Sequence, residues 1–396
     1  MSEHNILIAG GGIGGLTTAL SLAARGMHVQ VFEQAAAFAE VGAGIQLSPN
    51  CTRVLHQLGL REALEAYAYL PEATEIRVWN SGKRLARTIL GQRALARYHY
   101  PYYHMHRADL MTVLIEAAQD NPRIRLHTGA TVEGFIDHDS GVRVSTGEQT
   151  VDGTALIGAD GIHSTVRKLL AGDDSPRFTG NVAWRLLVPT HALSPDMSVP
   201  NATVWWGPGK HFVHYNVRQG EWVNCVCVVE KSGWEVESWT EPGEHAELRA
   251  DFAGWHPIVR TLIEAADPTT CYKWALFDRP PLARWGLGRA TLLGDACHPT
   301  LPFLAQGAAM AIEDGAVLAA CLERADTNSI PAALRRYAEL RAPRAARIQS
   351  RSRRNARVFH LTGISAWARN LVTPVLAERT LHEVYRYDAT AAATGS

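Results

Sequence analysis

The stretch Gly10-Gly11-Gly12-Ile13-Gly14-Gly15 follows an apolar run at residues 6–9 and precedes a helical pattern over residues 14–24. A second apolar run at residues 29–32 completes the order strand, helix, strand, which predicts a βαβ unit. The stretch matches G-x-G-x-x-G, in which glycines allow a tight turn, a close backbone approach to a pyrophosphate and close helix packing. We therefore expect phosphates to bind at the N-terminus of this helix.

Glu33 ends the second predicted strand, 21 residues after Gly12. A carboxylate in this place accepts hydrogen bonds from both hydroxyls of an adenosine ribose, and it disfavours a 2′-phosphate. The bound dinucleotide is therefore expected to be NAD or FAD rather than NADP.

Two later apolar runs each end in one aspartate. Residues 151–159 read as a buried strand that precedes Asp160-Gly161, and residues 290–293 precede Gly294-Asp295. Open α/β sheets bind ligands at the C-terminal edge of their strands, although either aspartate could instead cap a helix.

With these motifs the chain resembles the class A flavoprotein monooxygenases, the family of p-hydroxybenzoate and salicylate hydroxylases, over almost its whole length. The resemblance implies an α/β fold, in which a Rossmann-like FAD-binding domain is interleaved with a mixed β-sheet substrate domain and followed by a helical tail. We expect the FAD-binding domain at residues 1–177, the substrate domain at 178–272, and the rest of the FAD-binding domain with the C-terminal helices at 273–396. The motifs that carry the resemblance are Gly10 to Gly15 with Glu33, Arg107-Ala108-Asp109-Leu110, Asp160-Gly161 and Gly294-Asp295.

The resemblance also implies which residues hold the cofactors. Glu33 would bind the adenosine ribose, Arg107 the FAD phosphates, and Asp295 the ribityl and pyrophosphate region. The segment around Asp160 is associated with both FAD and NAD(P)H, and the loop at residues 41–46 would accompany movement of the flavin. The residues expected to contact FAD are Gly10, Gly12, Ile13, Gly14, Gly15, Glu33, Gln34, Gly44, Ile45, Arg107, Val132, Asp160, Gly161, Asp295, Pro302, Gly307 and Ala308.

Because the chain holds one G-x-G-x-x-G motif, NADH or NADPH lacks a Rossmann domain of its own and is expected to bind transiently. Gly307 opens a predicted helix, and its N-terminus would stabilise negative charge on a reduced flavin.

The substrate domain offers a candidate base on the predicted strand at residues 210–217. Alternate residues of a strand share a face, so His211 and Tyr215 point the same way. His211 has a suitable intrinsic pKa to take a phenol proton, with Tyr215 relaying or positioning it, but a structural histidine explains the pattern equally well. Pro302 and Phe303 are expected to form an apolar wall for the substrate ring, and by resemblance Arg185 or Lys210 would meet a carboxylate.

The expected reaction is NAD(P)H-dependent hydroxylation of a small phenolic compound, with O₂ supplying the oxygen through a flavin C4a-hydroperoxide. Salicylate or another monohydroxybenzoate is the leading substrate class. The alternatives are a hydroxypyridine or quinolone-like heteroaromatic substrate, an FAD-dependent dehydrogenase or reductase of related fold, and a flavin-binding regulatory protein.

Composition narrows the remaining classes. Lys and Arg number 39, as do Asp and Glu, which removes any general argument for nucleic acid binding. No apolar run approaches a membrane span, and the six cysteines include no C-x-x-C pair, so we expect no metal, no stable membrane association and a cytoplasmic location. Nine arginines between residues 335 and 357 are interpreted as a solvated helix face, with a membrane-surface role or a dimer interface as alternatives.

Overall fold

The computed structural model describes residues 4–38, 43–147, 149–194, 197, 200–234, 236 and 241–394. Its strands are, in chain order, β1 (Asn5–Ala9), β2 (His28–Glu33), β3 (Gly44–Leu47), β4 (Ala73–Val78), β5 (Arg84–Ile89), β6 (Tyr103–His106), β7 (Ile124–Thr128), β8 (Gly134–His138), β9 (Gly141–Thr146), β10 (Gln149–Gly153), β11 (Ala155–Gly158), β12 (Arg177–Pro189), β13 (Asn201–Gly207), β14 (Lys210–Val217), β15 (Trp222–Glu230), β16 (Tyr272–Asp278), β17 (Gly286–Leu287) and β18 (Ala290–Leu292). Its α-helices are α1 (Ile13–Ala23), α2 (Pro49–Gln57), α3 (Arg61–Glu65), α4 (Gly91–Tyr98), α5 (Arg107–Gln119), α6 (Thr165–Ala171), α7 (His245–Asp251), α8 (Pro257–Glu264), α9 (Gly307–Leu322), α10 (Ile330–Phe359), α11 (Gly363–Tyr385) and α12 (Ala389–Thr394).

The apolar runs of the predicted βαβ unit lie at the centre of a six-stranded sheet with the order β17-β18-β11-β1-β2-β7. All pairs are parallel except β17 with β18. Ile6, Leu7 and Ile8 are fully buried, as expected of a parallel strand covered on both faces. Because parallel strands end at the same edge, the turns after β1, β2, β11 and β18 are neighbours there.

The apolar run at residues 151–159 forms two strands, so the prediction of one continuous strand is wrong. β10 pairs with β9 in a three-stranded antiparallel sheet, whereas β11 joins the six-stranded sheet. The chain passes from one sheet to the other at Gly153. A Cβ there would lie 2.5 Å from Cγ of Leu7 and 2.9 Å from the carbonyl oxygen of Asn5. The chain crosses β1 too closely for a side chain.

A second sheet has seven strands in the order β16-β12-β15-β14-β13-β4-β5. β4 and β5 come from the N-terminal part of the chain, which makes the two domains interleaved. One face of this sheet packs on α7 and α8 through an apolar cluster that includes Phe212, Trp184 and Leu262. The other face, which carries His211, meets Phe303 just before α9. The region between the two sheets therefore holds the cleft where the predicted motifs converge.

The arginine-rich segment in α10 is not solvated along its whole length, in contrast to the solvated face predicted from the sequence. Arg341 is fully buried in α10 and Arg344 nearly so, which means that the interpretation of the arginine-rich segment as a solvated face is wrong at these two positions. Arg354 of the same helix is exposed, as expected. Among the residues that the structure describes, no helix is both long enough and apolar enough to cross a membrane.

Candidate active site

The glycine turn after β1 combines two crowded positions with one open position. Gly10 has a φ of +101°, and a Cβ on it would lie 2.4 Å from the carbonyl oxygen of Ala159. A Cβ on Gly15 would lie 2.0 Å from the carbonyl oxygen of Gly10. Around Gly12, by contrast, a Cβ would meet no atom of the described residues within 4 Å. The turn thus packs tightly beneath and leaves open space above the start of α1, as a bound pyrophosphate requires.

Packing holds the start of α1 against α9. A Cβ on Gly14 would lie 2.8 Å from Cδ2 of Leu293 and 3.1 Å from Cβ of Ala311. Ile13 is buried, and the first turn of α1 holds no acidic side chain. The amides at this helix end therefore face the cleft without a negative group of their own helix to neutralise them.

Glu33 lies beside the glycine turn at the end of β2. Its Oε2 accepts a hydrogen bond from the Gly11 amide at 2.8 Å, and its Oε1 accepts one from the Ala35 amide at 2.9 Å. The amide of Ala130 donates to the carbonyl oxygen of Glu33 at 2.9 Å, which brings the segment holding the buried Val132 to the same corner. Gln34 is exposed.

Asp295 follows β18 and faces the cleft, where its side chain keeps accessible surface although protein surrounds it on the other sides. Burial raises the pKa of this carboxyl group, while the neighbouring His298 and Arg107 act to lower it. Arg107 begins α5, and its amide donates to the carbonyl oxygen of Ala43 at 2.7 Å. The structure therefore brings Arg107 and Asp295, which are far apart in the sequence, to one site.

Asp160 lies before α6 and accepts hydrogen bonds from residues at the start of that helix. Its Oδ1 accepts a hydrogen bond from Oγ of Ser164 at 2.5 Å, and its Oδ2 accepts one from the Val166 amide at 3.1 Å. Burial raises the pKa of the Asp160 carboxyl group. Asp160 therefore supports the N-terminus of α6, whose N-cap is Ser164, at the same edge of the sheet as the glycine turn. Gly161, with a φ of +76°, turns the chain there.

The N-terminus of α9 also faces open space. A Cβ on Gly307 would meet nothing within 4 Å, and Ala308 is half-buried. The preceding Gln306 does not cap the helix with its side chain, which instead donates to Oγ of Ser48 at 2.9 Å. Small residues and uncapped amides suit a flat ring system that takes up negative charge.

A buried cluster of charges beneath this site was not predicted from the sequence. On α9, Glu313 and Asp314 are fully buried. Nε of Arg341 donates to Oδ1 of Asp314 at 2.6 Å, and Arg344 makes two bonds to Glu313 at 2.7 and 2.6 Å. His298 Nε2 lies 2.5 Å from Oδ2 of Asp314.

The same buried charges also contact the turn that carries Asp295. Oδ2 of Asp314 accepts a hydrogen bond from the Gly294 amide at 3.1 Å, next to Asp295. Burial acts to raise the pKa of Asp314, but His298 and Arg341 together lower it to about 2. The same carboxylate raises the pKa of His298 against the effect of burial. We name these residues the charge cluster: His298, Glu313, Asp314, Arg341 and Arg344.

Arg185 and His211, both predicted to act at the substrate, lie on the face of the seven-stranded sheet that is turned toward the cofactor cleft. Arg185 is 2% exposed, and its guanidinium carbon lies 5.4 and 5.5 Å from the ring centroids of Tyr272 and Trp274. The rings of His211 and Phe303 are 5.1 Å apart, while Pro302 is exposed. Lys210 lies on the other face, where its ammonium group donates to the carbonyl oxygen of Asp251. Of the two cations considered for a carboxylate, only Arg185 therefore lies on the face of His211.

His211 and Tyr215 share this face but belong to different clusters. Nδ1 of His211 lies 2.8 Å from Nε2 of His360. The ring of Tyr215 lies 4.6 Å from that of His104, and Tyr215 also interacts with Gln46. Burial holds the pKa of His211 well below its ordinary value and raises that of Tyr215. At neutral pH His211 is thus an uncharged acceptor and Tyr215 a hydrogen-bond donor.

Asn224 was not singled out in the sequence. It is fully buried on the same face, and its Oδ1 accepts a hydrogen bond from the Gly44 amide at 2.7 Å. Its Nδ2 has no hydrogen-bond partner among the residues described. Ile45 follows Gly44 in β3, whereas Val41 and Gly42 of the predicted mobile loop lie outside the described residues. The hydrogen bond between Gly44 and Asn224 joins β3 to the seven-stranded sheet.

Comparison with known proteins decides the family. A family model described as an FAD binding domain matches residues 3–352. The chain is also 42% identical to the 3-amino-4-hydroxybenzoate 2-monooxygenase of Streptomyces platensis over 400 residues, which cover 100% of this chain and 99% of that protein. The chain belongs to the family of FAD-dependent aromatic hydroxylases.

Two further similarities extend this result. The chain is 38% identical to the 6-hydroxynicotinate 3-monooxygenase of Bordetella bronchiseptica over 356 residues, which are 89% of this chain and 91% of that hydroxylase. A solved salicylate hydroxylase substrate complex superposes with a TM-score of 0.84 at 25% identity, covering 99% of this chain and 98% of the other.

The predicted family, fold, cofactor and enzyme class are confirmed. The chain is an FAD-dependent aromatic monooxygenase that takes its electrons from NADH or NADPH. The open space above Gly12 and Gly307 fits such a cofactor. The individual contacts of each residue with FAD stay predictions.

Proposed function

We propose that this hydroxylase acts on a monocyclic aromatic acid that carries a hydroxyl group, with an amino-substituted hydroxybenzoate as the first candidate. The observation that carries the proposal is the buried cation Arg185 on the same sheet face as the uncharged His211. A buried guanidinium is suited to a planar carboxylate, and a neutral imidazole to a phenol proton. The substrates in the names of the three similar proteins share an aromatic ring, a hydroxyl group and a carboxylate, which supports the same class.

When bound, FAD would supply the redox chemistry, namely the uptake of electrons from NADH or NADPH and the activation of O₂, one atom of which enters the ring. The chain contributes position and charge. The glycine turn and Arg107 bind the phosphates, Glu33 holds the ribose, and the amides of Gly307 and Ala308 stabilise negative charge at the ring system. The other predicted contacts, among them Gly161 and Pro302, belong to the same proposal.

At the substrate, Arg185 pairs with the carboxylate and Nδ2 of Asn224 donates a further hydrogen bond. His211 accepts the phenol proton, which makes the ring more electron-rich and easier to oxygenate. Phe303 forms an apolar wall beside His211 and helps to exclude water. Tyr215, which remains protonated, orients the substrate from the far side of the face.

The test is turnover of the FAD-loaded enzyme with NADH and with NADPH. The compounds are 3-amino-4-hydroxybenzoate, salicylate, 3-hydroxybenzoate, 6-hydroxynicotinate and 2-aminophenol, which lacks the carboxylate. We expect a product heavier by one oxygen atom, with little peroxide, from at least one of the acids. Peroxide alone from every acid, or equal turnover of 2-aminophenol, would contradict the proposed substrate class.

Arg185→Met is expected to raise KM for the acid substrate about thirtyfold or more and to change kcat much less. Losing one partner of a buried charge pair costs about 2 kcal/mol or more, which is about thirtyfold in affinity. Methionine keeps much of the apolar contact with Tyr272 and Trp274. Steady-state kinetics measure the effect, and 2-aminophenol is the matched control, because its KM should be the same in both enzymes. A fall in kcat with unchanged KM would assign Arg185 another role.

A cytoplasmic location and a homodimer are also part of the proposal. α11 exposes an apolar stripe at Ile364, Trp367, Leu371 and Val375, spaced as on one helix face. Contiguous apolar surface of this kind supports contact between two copies of the chain. Light scattering on the purified enzyme tests the dimer, and a monomer that Trp367→Glu leaves unchanged would contradict it.

A further inference from the structure

We propose that His360 and Glu230 form a proton relay that carries the phenol proton from His211 to the protein surface. The inference rests on the proposed role of His211 as the base, and it assigns a function to two residues outside the cofactor cleft. Neither residue is part of a sequence motif, and His360 is 149 residues from His211 in the chain.

The three side chains form one continuous line of hydrogen bonds. Nδ1 of His211 lies 2.8 Å from Nε2 of His360, and Nδ1 of His360 lies 2.7 Å from Oε1 of Glu230. The backbone also fixes His360, whose carbonyl oxygen accepts a hydrogen bond from the Gly209 amide at 3.2 Å. Both histidine rings are buried, whereas the side chain of Glu230 is 55% exposed. The line therefore runs from the substrate face to solvent.

The carboxylate at the outer end determines where the protons lie. An ionised carboxylate only accepts, so Nδ1 of His360 carries the proton in that bond, and Nε2 of His360 is an acceptor. Nδ1 of His211 must then donate to His360, which leaves the lone pair of His211 on Nε2. This is the tautomer in which His211 can receive a proton from a substrate.

The relay takes up one proton from the substrate and releases one proton to solvent. As the phenol O–H bond breaks, its proton bonds to Nε2 of His211, and the proton on Nδ1 moves to Nε2 of His360. The proton on Nδ1 of His360 then moves to Glu230, which releases it to solvent. No redox change is involved, and the line of side chains gains one proton and loses one.

The surroundings of the two histidines favour transfer of the proton to Glu230 over its retention on either imidazole ring. Burial, and then His360, disfavour a charged His211, while burial and Arg369 of α11 disfavour a charged His360 against the opposing effect of Glu230. Besides His360, the rings of Phe303 and Phe359 lie beside His211, and neither of these can accept a proton. Glu230 lines a surface cleft of about 700 Å³ that Asp278, Arg353 and Lys231 also border. A proton taken up inside is therefore passed on to a solvated carboxylate.

The experiment measures proton release without turnover. FAD-loaded enzyme is mixed with 3-amino-4-hydroxybenzoate in weak buffer that contains a pH indicator, and the absorbance change from phenol to phenolate is followed in parallel. The variants are His211→Gln, His360→Ala and Glu230→Gln, the last of which can still accept a hydrogen bond from His360 but not a proton. Glu221→Gln, an exposed site just before the same strand, is the matched control. Binding of 3-aminobenzoate, which has no phenol proton, should release none.

We expect Glu230→Gln and His360→Ala to release the proton about tenfold more slowly or worse, while Glu221→Gln matches the wild type. Added imidazole should restore the rate in His360→Ala but not in Glu230→Gln, which a merely structural role for His360 would not produce. If His211→Gln alone slows release, the relay is refuted and the base remains. If the wild type binds the compound without releasing a proton, the base and the relay both fail, whereas the role of Arg185 is tested separately by KM.

Discussion

Arg341→Met is expected to lower the free energy of unfolding by about 3–5 kcal/mol, the usual cost of removing one partner from a buried ion pair. Arg341 is fully buried and bonds Asp314 at 2.6 Å, with Glu313 at 2.8 Å from its Nη1. Without it, Arg344 and His298 remain as the cationic partners of the two buried carboxylates within the charge cluster. Because Asp314 also accepts from the Gly294 amide, the turn that presents Asp295 should loosen and FAD should dissociate more readily.

Chemical denaturation of the apo-protein measures the loss of stability, and FAD fluorescence measures release of the cofactor. Arg354→Met is the matched control, since it makes the same change at an exposed site of the same helix and should alter stability by less than about 0.5 kcal/mol. Equal effects of the two substitutions would mean that the charge cluster is not what stabilises this region.

The difference in stability between wild type and Arg341→Met is expected to depend on pH. The pKa of Asp314 is lowered to about 2 in the folded protein, from an ordinary value of 3.8. Its contribution is therefore fully present above the ordinary value and is lost as the pH falls through about 2. His298 acts oppositely, because its raised pKa gives a contribution that is present below 6.5 and is lost as the pH rises through the folded value. Arg341 disfavours the protonated forms of both His298 and Asp314, so the folded variant binds protons more readily than the wild type. The denaturation midpoints of wild type and Arg341→Met should thus differ most at neutral and higher pH and converge as the pH falls toward 2.

The parts of the site that the sequence predicted are local. The glycine turn, Glu33 and Asp295 each follow an apolar strand, and parallel strands necessarily end at one edge of their sheet. Once the strands are recognised, the meeting of these residues follows from geometry. The division at Gly153 was missed, although Asp152-Gly153-Thr154 interrupts the apolar pattern there and is the local signal of a break between two strands.

The charge cluster and the relay could not be predicted because their partners are distant in sequence. Glu313 and Asp314 gave the one available signal, since two acids within an apolar helix need buried cations as partners. The arginines of α10 then look less like a solvated face. For His360 the sequence gives no such signal, because nothing around it distinguishes a buried relay from one more surface histidine. Only the packing of α10 against β14 brings it to His211.

Gly12→Ala is expected to leave the apo-protein as stable as the wild type and to weaken FAD binding about a hundredfold, or about 2.7 kcal/mol. Gly12 has a φ of −75° and a ψ of −174°, which alanine adopts without strain, and its Cβ would meet no atom of the described part of the chain within 4 Å. The only space that the new methyl group occupies is the space above the amides of α1. If the pyrophosphate lies there, it is displaced from those amides.

The contrasting variant is Gly10→Ala, in which a φ of +101° and a Cβ at 2.4 Å from the carbonyl oxygen of Ala159 should destabilise the protein itself. Unfolding of the apo-protein and FAD titration by fluorescence quenching separate the two effects. Normal FAD affinity in a stable Gly12→Ala protein would mean that the phosphates bind elsewhere. A loss of stability without FAD would mean that Gly12 is required for folding, and only the expected pair of results assigns the open space to the cofactor.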